Sequence, residues 1–209
     1  MRSETVLERL WARRPELRPC EDSLREAFAL MTAAIQRDGK LLLCGNGGSA
    51  ADADHWSGEL LKGFRLARPL DRETRRRLPE ESRDFLQAPI AAIPLGAFPA
   101  ALSAFANDVR ADFGYAQLVL ALGRPGDVFI GLSTSGQAAN VRAAARVARA
   151  QGLRVIGLTG RGGGRLAPEC DVCIRVPADE TFEVQELHLA VYHALSLMLE
   201  ERFFAEVSA

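Results

Sequence analysis

Histidine is among the rarest residues in this chain of 209 amino acids, with three copies. His55 precedes Glu59 by four residues, and Gln185 precedes His188 and His193 by three and eight. In a helix these spacings place each histidine near a second polar side chain. A carboxylate and an imidazole are the groups that move protons between adjacent carbons and oxygens in an aldose–ketose isomerisation. The pattern therefore predicts proton-transfer chemistry.

The same side chains have an alternative use as metal ligands. Together His55, Glu59, Gln185 and His193 offer two nitrogen and two oxygen donors, a set compatible with zinc. The residue types alone leave both uses open.

Two small-residue loops predict where an anion binds. Gly45-Asn46-Gly47-Gly48-Ser49 follows the apolar run 40–44, and Ser133-Thr134-Ser135-Gly136 follows the run 127–132; each leads into a helical pattern. Free backbone N–H groups and a helix N-terminus at the carboxyl edge of a sheet bind phosphate. Together the two loops indicate a phosphorylated ligand that spans them.

A dinucleotide is disfavoured at the first loop. Gly45-x-Gly47-x-x-Ala50 fits part of the dinucleotide fingerprint, but the next apolar run ends Ile93-Pro-Leu-Gly96, without the acidic residue that holds a ribose diol. We expect no nucleotide cofactor.

The order of apolar runs predicts the fold class. Candidate strands at 40–44, 89–94, 127–132, 154–159 and 171–176 alternate with helical patterns, of which the last covers 182–204. Alternation of this kind is typical of an α/β three-layer sandwich, a five-stranded parallel sheet with helices on both faces. We expect one domain over 1–209, which begins with helices within 1–38.

An insertion at 65–87 interrupts the alternation. It is rich in charge, with Asp71-Arg-Glu-Thr-Arg-Arg-Arg77, where a short connection is usual. Its arginines form either a solvated helix face or a basic wall beside the site.

Composition excludes other classes of function. The 26 Lys and Arg balance 27 Asp and Glu, so no overall positive field attracts nucleic acid or an anionic membrane. No apolar window approaches a membrane span. With only four cysteines, two of them inside apolar runs, we expect a reduced, cytoplasmic protein.

Several blocks, in order, resemble the phosphoheptose isomerase family of the sugar isomerase (SIS) superfamily. They are Cys44 to His55 with Glu59, Asn107-Asp108, Ser133 to Gly136, Leu158-Thr-Gly160, and Val184 to His188 with His193. The resemblance implies an SIS fold of flavodoxin-like type and a homotetramer with active sites at subunit interfaces. It also implies isomerisation of sedoheptulose 7-phosphate to D-glycero-D-manno-heptose 7-phosphate through an enediol.

The resemblance also implies roles for single residues. Glu59 is the carbon base and His193 the second acid and base. His188 matches a recurrent position to which the resemblance gives no role, and we expect a structural one. One zinc or other divalent metal ion is held in some members at positions matching His55, Glu59, Gln185 and His193. The positions expected to contact substrate are Asn46, Gly47, Gly48, Ser49, Asn107, Asp108, Ser133, Thr134, Ser135 and Gln185.

This sequence departs from the family pattern at three places, which bear on substrate recognition: Ala138, Glu183 and the insertion at 65–87. The alternative function is that of a non-catalytic relative, which binds a sugar phosphate or a replication initiator. The joint presence of His55, Glu59, Gln185 and His193 favours catalysis.

Overall fold

The computed structural model describes residues 3–205, in which five parallel strands form one sheet in the order β2-β1-β3-β4-β5. The strands are β1 (Leu41–Cys44), β2 (Ala92–Pro94), β3 (Val128–Leu132), β4 (Arg154–Thr159) and β5 (Val172–Arg175). All four pairings are parallel, and Leu41 is in register with both Ala92 and Val128. The predicted five-stranded parallel sheet is confirmed.

The described residues form eight α-helices. They are α1 (Ser3–Arg13), α2 (Glu21–Ile35), α3 (Gly48–Leu61), α4 (Arg72–Arg77), α5 (Pro99–Phe105), α6 (Gly114–Leu122), α7 (Ala139–Ala150) and α8 (Thr181–Phe204). None of them is long and apolar enough to cross a membrane.

Two separate cores lie on the two faces of the sheet. Alternating side chains of a strand point to opposite faces, so Leu41 and Leu43 join the core under α1, α2, α3 and α8, whereas Leu42 and Cys44 join the core under α6 and α7. This is the predicted three-layer α/β sandwich, and it explains why the strands read as unbroken apolar runs.

The segment 65–87 contains α4 and a short 3₁₀ turn. Asp71 caps α4 by accepting hydrogen bonds from the N–H groups of Glu73 and Thr74, each 2.9 Å long. A solvent-facing cleft of about 270 Å³ is lined by Arg72, Arg75, Arg76 and Arg83.

Arg68 differs from the other arginines of this segment, because it is buried. Its Nε donates to Glu200 on α8 at 2.8 Å, and its Nη1 donates to the Leu60 carbonyl at 2.7 Å. The backbone N–H groups of Phe64, Arg65 and Leu66 also donate to the Glu200 carboxylate. One buried carboxylate therefore anchors the start of the segment to α8.

Candidate active site

The first predicted loop passes from β1 into α3 through a conformation that favours glycine. Gly47 has φ +52°, in the left-handed region, and α3 begins at the next residue. A side chain at Gly48 would collide with the amide of Gln185, which lies against this glycine from α8. The phenolic group of Tyr115 donates to the Gly45 carbonyl at 2.6 Å and fixes the start of the loop.

The second predicted loop lies beside the first. Because β1 and β3 are neighbours and parallel, both loops leave the same edge of the sheet. They enclose a cleft of about 210 Å³ lined by Asn46, Ser49, Leu132, Ser133, Thr134, Ser135 and Ala138. Asn46 and Asn140 exchange two side-chain hydrogen bonds, of 2.8 and 2.9 Å, which join the first loop to the first turn of α7.

The second loop, Ser133 to Gly136, is called the serine loop below. Backbone contacts with the loop after β4 hold it in place. The Gly160 N–H donates to the Thr134 carbonyl at 2.8 Å, and the Leu166 N–H donates to the Gly136 carbonyl at 2.9 Å. Gly136 has φ +64°, and a Cβ on it would collide with the Gly163 carbonyl. The loop is thus a rigid frame of hydroxyls and amides, suited to an anion.

His55, Glu59 and His193 meet between α3 and α8. Each of His55, Glu59 and His193 offers one potential ligand atom within 4.8 Å of the other two. His55 Nε2 lies 3.2 Å from Glu59 Oε1, and the Lys62 ammonium lies 3.2 Å from Glu59 Oε2. One chain therefore brings together residues that are 138 positions apart.

His193 has a ring nitrogen available for chemistry. Its Nε2 is buried and has no hydrogen-bond partner among residues 3–205. Burial is the largest effect on its pKa and lowers it; His55 also lowers it, and Glu59 opposes the shift. A neutral imidazole is thereby favoured, which can accept or donate a proton.

The remaining predicted residues lie outside this cluster. His188 is fully buried, and burial lowers its pKa to about 4, so it stays neutral inside the core, as its predicted structural role requires. Gln185 contacts Gly48 of the first loop. Asn107 and Asp108 lie exposed in a π-helical turn after α5 and bond to each other at 2.8 Å. Among residues 3–205 no hydrogen bond joins them to either loop.

Sequence reasoning missed Tyr192 and Asp52, which extend the cluster. The Tyr192 oxygen lies 2.9 Å from His55 Nδ1 and 3.4 Å from Asp52 Oδ1. Asp52 stands three residues before His55, a helical spacing that could have revealed it. Tyr192 gave no such signal, because a tyrosine in an apolar helix is usually a core residue.

The SIS domain family matches residues 16–160. A phosphoheptose isomerase of Rhodospirillum rubrum is 42% identical over 182 residues, which are 87% of this chain and 87% of that protein. A second, from Thiobacillus denitrificans, is 41% identical over 82% of this chain and 79% of that protein.

Solved structures give a consistent result. The phosphoheptose isomerase of Neisseria gonorrhoeae superposes with a TM-score of 0.72 at 34% identity, over 93% of this chain and 98% of that one. The phosphoheptose isomerase of Francisella tularensis has a TM-score of 0.77 at 27% identity, over 95% and 94% of the two chains.

Proposed function

The chain belongs to the phosphoheptose isomerases of the SIS domain family, and we propose that it interconverts sedoheptulose 7-phosphate and D-glycero-D-manno-heptose 7-phosphate. It is an aldose–ketose isomerase. The observation that carries the assignment of residues is the convergence of His55, Glu59 and His193 in one cluster. The alternative of a non-catalytic binding protein leaves this set of proton-transfer groups without a purpose.

The cluster supports an enediol mechanism. The Glu59 carboxylate takes a proton from C1 of the ketose, and the electrons left behind form the C1–C2 double bond of the enediol. The carbonyl oxygen at C2 gains a proton and the C1 hydroxyl loses one, which His193 can transfer through Nε2. Return of the carbon proton to C2 gives the aldose, so atoms and charge balance. The Lys62 ammonium donates a hydrogen bond to Glu59 Oε2 at 3.2 Å.

A divalent metal ion fits the same cluster. Two imidazoles and a carboxylate within 4.8 Å are donors that zinc accepts, and the unpartnered His193 Nε2 is available as a ligand. When bound, the metal would polarise the oxygens of the sugar. The assignment of Gln185 as a fourth ligand remains a prediction, because the contact it makes here is with Gly48.

Phosphate is proposed to bind between the two loops. The cleft presents the hydroxyls of Ser49, Ser133, Thr134 and Ser135, and a phosphate accepts hydrogen bonds from such groups. Because sugar phosphates are made and consumed in the cytoplasm, we place the enzyme there.

Solvent isotope incorporation tests the reaction. During isomerisation in deuterium oxide, an enediol intermediate should allow deuterium to appear at the carbon that receives the proton, as measured by NMR. Isomerisation without deuterium at C1 or C2 would indicate hydride transfer and would remove Glu59 from its role.

Ser135→Asp should raise KM for the sugar phosphate steeply while the protein stays folded. The carboxylate of the new aspartate repels the phosphate of the substrate. Ser135 is exposed, so the larger side chain needs no repacking. Steady-state kinetics measures the change. Ser135→Ala is the matched control, which removes one hydroxyl without adding charge and should raise KM far less. Equal KM values for both variants would mean that the loop serves only as a turn.

We also propose a homotetramer. Large apolar side chains are exposed on several elements, among them Leu61, Val109, Phe182 and Leu189, and burial of such surface drives association. Light scattering should give the mass of a closed oligomer, with four chains expected. A fully active monomer contradicts the proposal.

A further inference from the structure

Tyr192 is a buried polar residue that the proposed reaction does not use. It precedes His193 on α8 and is 0% exposed. Its ring stacks on Trp56, with centroids 5.5 Å apart and planes 18° apart, and it meets His55 edge-on. Packing on two sides holds the hydroxyl in one place, next to Nδ1 of His55.

The hydroxyl has one proton and two possible acceptors. His55 Nδ1 lies at 2.9 Å and Asp52 Oδ1 at 3.4 Å, so the imidazole is the closer partner. If the hydroxyl donates to Nδ1, a neutral His55 must carry its proton on Nε2.

The other side of the imidazole agrees with this assignment. Nε2 faces Glu59 Oε1 at 3.2 Å. An N–H at Nε2 makes this contact a hydrogen bond, whereas a lone pair there would face a carboxylate oxygen. Both neighbours of the ring therefore select the same neutral tautomer.

We propose that Tyr192 is a positioning residue, which fixes neutral His55 as the Nε2–H tautomer and so directs an N–H at the base Glu59. The inference rests on the proposed function for its catalytic meaning. The hydrogen bond orients the carboxylate before substrate arrives, as the outer partners of catalytic and metal-binding groups do in other enzymes.

Asp52 is a second possible acceptor for the Tyr192 hydroxyl. When Nε2 of His55 is bound to a metal ion, the proton of a neutral imidazole must lie on Nδ1. The Tyr192 oxygen then accepts that proton's hydrogen bond and donates its own to Asp52, whose other oxygen is buried without a partner among residues 3–205. Asp52 is thus the alternative acceptor that the hydroxyl would need with a metal ion at Nε2, whereas without a metal ion the nearer Nδ1 takes its proton.

Nitrogen-15 NMR of the histidine side chains tests the inference directly. With three histidines in the chain, His188→Gln and His193→Gln assign the signals by elimination. In protein treated with chelator, at about pH 8.5, where an ordinary histidine is neutral, we expect His55 to carry its proton on Nε2. Added zinc should move that proton to Nδ1.

Tyr192→Phe should remove this preference. The signals of His55 should shift towards a mixture of tautomers, and kcat should fall by about ten- to a hundredfold with little change in KM, as for other outer partners. Tyr115→Phe, which deletes the other tyrosine hydroxyl, is the control for the spectrum and should leave His55 unchanged.

Two results would overturn the inference: an Nδ1–H tautomer in the metal-free wild type, or a His55 signal that Tyr192→Phe leaves unchanged. The outcome is separable from that of the proposed function. If the wild type fails to isomerise any heptose phosphate but His55 responds to Tyr192→Phe, the hydrogen bond stands and the function fails. If isomerisation is observed and His55 does not respond, the positioning role fails alone.

Discussion

Glu59→Gln should lower kcat by roughly two to four orders of magnitude, the contribution of a positioned general base. The amide keeps the size of the side chain, and its one carbonyl oxygen can still accept from His55 or from Lys62, so the melting temperature should change little. Steady-state kinetics on the heptose phosphate and thermal denaturation are the measurements. Glu26→Gln, at an exposed carboxylate on α2, is the matched control and should retain full activity. Wild-type kcat in the Glu59 variant would show that the base lies elsewhere.

The same variants separate proton transfer from metal binding. His193→Gln should reduce kcat in a similar way, by removing the shuttle between the oxygens. If a metal ion is resident, Glu59→Gln, His193→Gln and also His55→Ala should each lower the zinc content measured by elemental analysis. Loss of kcat in the first two with an unchanged zinc content would assign these side chains to proton transfer alone.

Glu200→Ala should destabilise the fold by about 3–5 kcal/mol, the usual cost of breaking a buried ion pair. The substitution leaves the buried Arg68 guanidinium without its carboxylate partner and three partly buried backbone N–H groups without their acceptor. Both members of the pair are at most 1% exposed, so the charge of Arg68 is shielded from bulk solvent. Chemical denaturation gives the free energy of unfolding.

Glu73→Ala is the control for this experiment. It removes the solvent-exposed pair with Arg77, whose closest atoms are 3.8 Å apart, and should leave the stability nearly unchanged. If Glu200→Ala were no more destabilising than Glu73→Ala, the stability of the fold would not depend on the Glu200 carboxylate as the acceptor for Arg68 and the three N–H groups.

The sheet could be predicted because each strand carries its own signal. β4 spans the residues expected from the pattern, and β1, β3 and β5 differ by one residue at one or both ends. β2 is shorter than its apolar run: it begins at Ala92, and of the preceding residues Ile90 donates its N–H to the Leu60 carbonyl, away from the sheet. Such ends depend on pairing with a neighbour, which a local pattern does not contain.

The site was predictable where its residues lie on one helix. The spacing of His55 and Glu59 defines a shared face, and the structure places their side chains 3.2 Å apart. The pairing of Arg68 with Glu200 was not predictable, because the two residues are 132 positions apart in the sequence. Each also stands in a segment that contains several residues of the same charge. Only the packing of α8 against the segment after α3 distinguishes the buried arginine from the exposed ones.

The contact between Gly136 and Gly163 limits which substitutions these two loops can tolerate. The serine loop and the loop after β4 touch through bare backbone, and a side chain at Gly136 would force them apart. A substitution that enlarges one loop therefore requires a compensating change in the other. We expect the two segments to change together during evolution rather than independently. Libraries that diversify substrate preference should accordingly vary Ala138 or the lining of the first loop, and keep both glycines fixed.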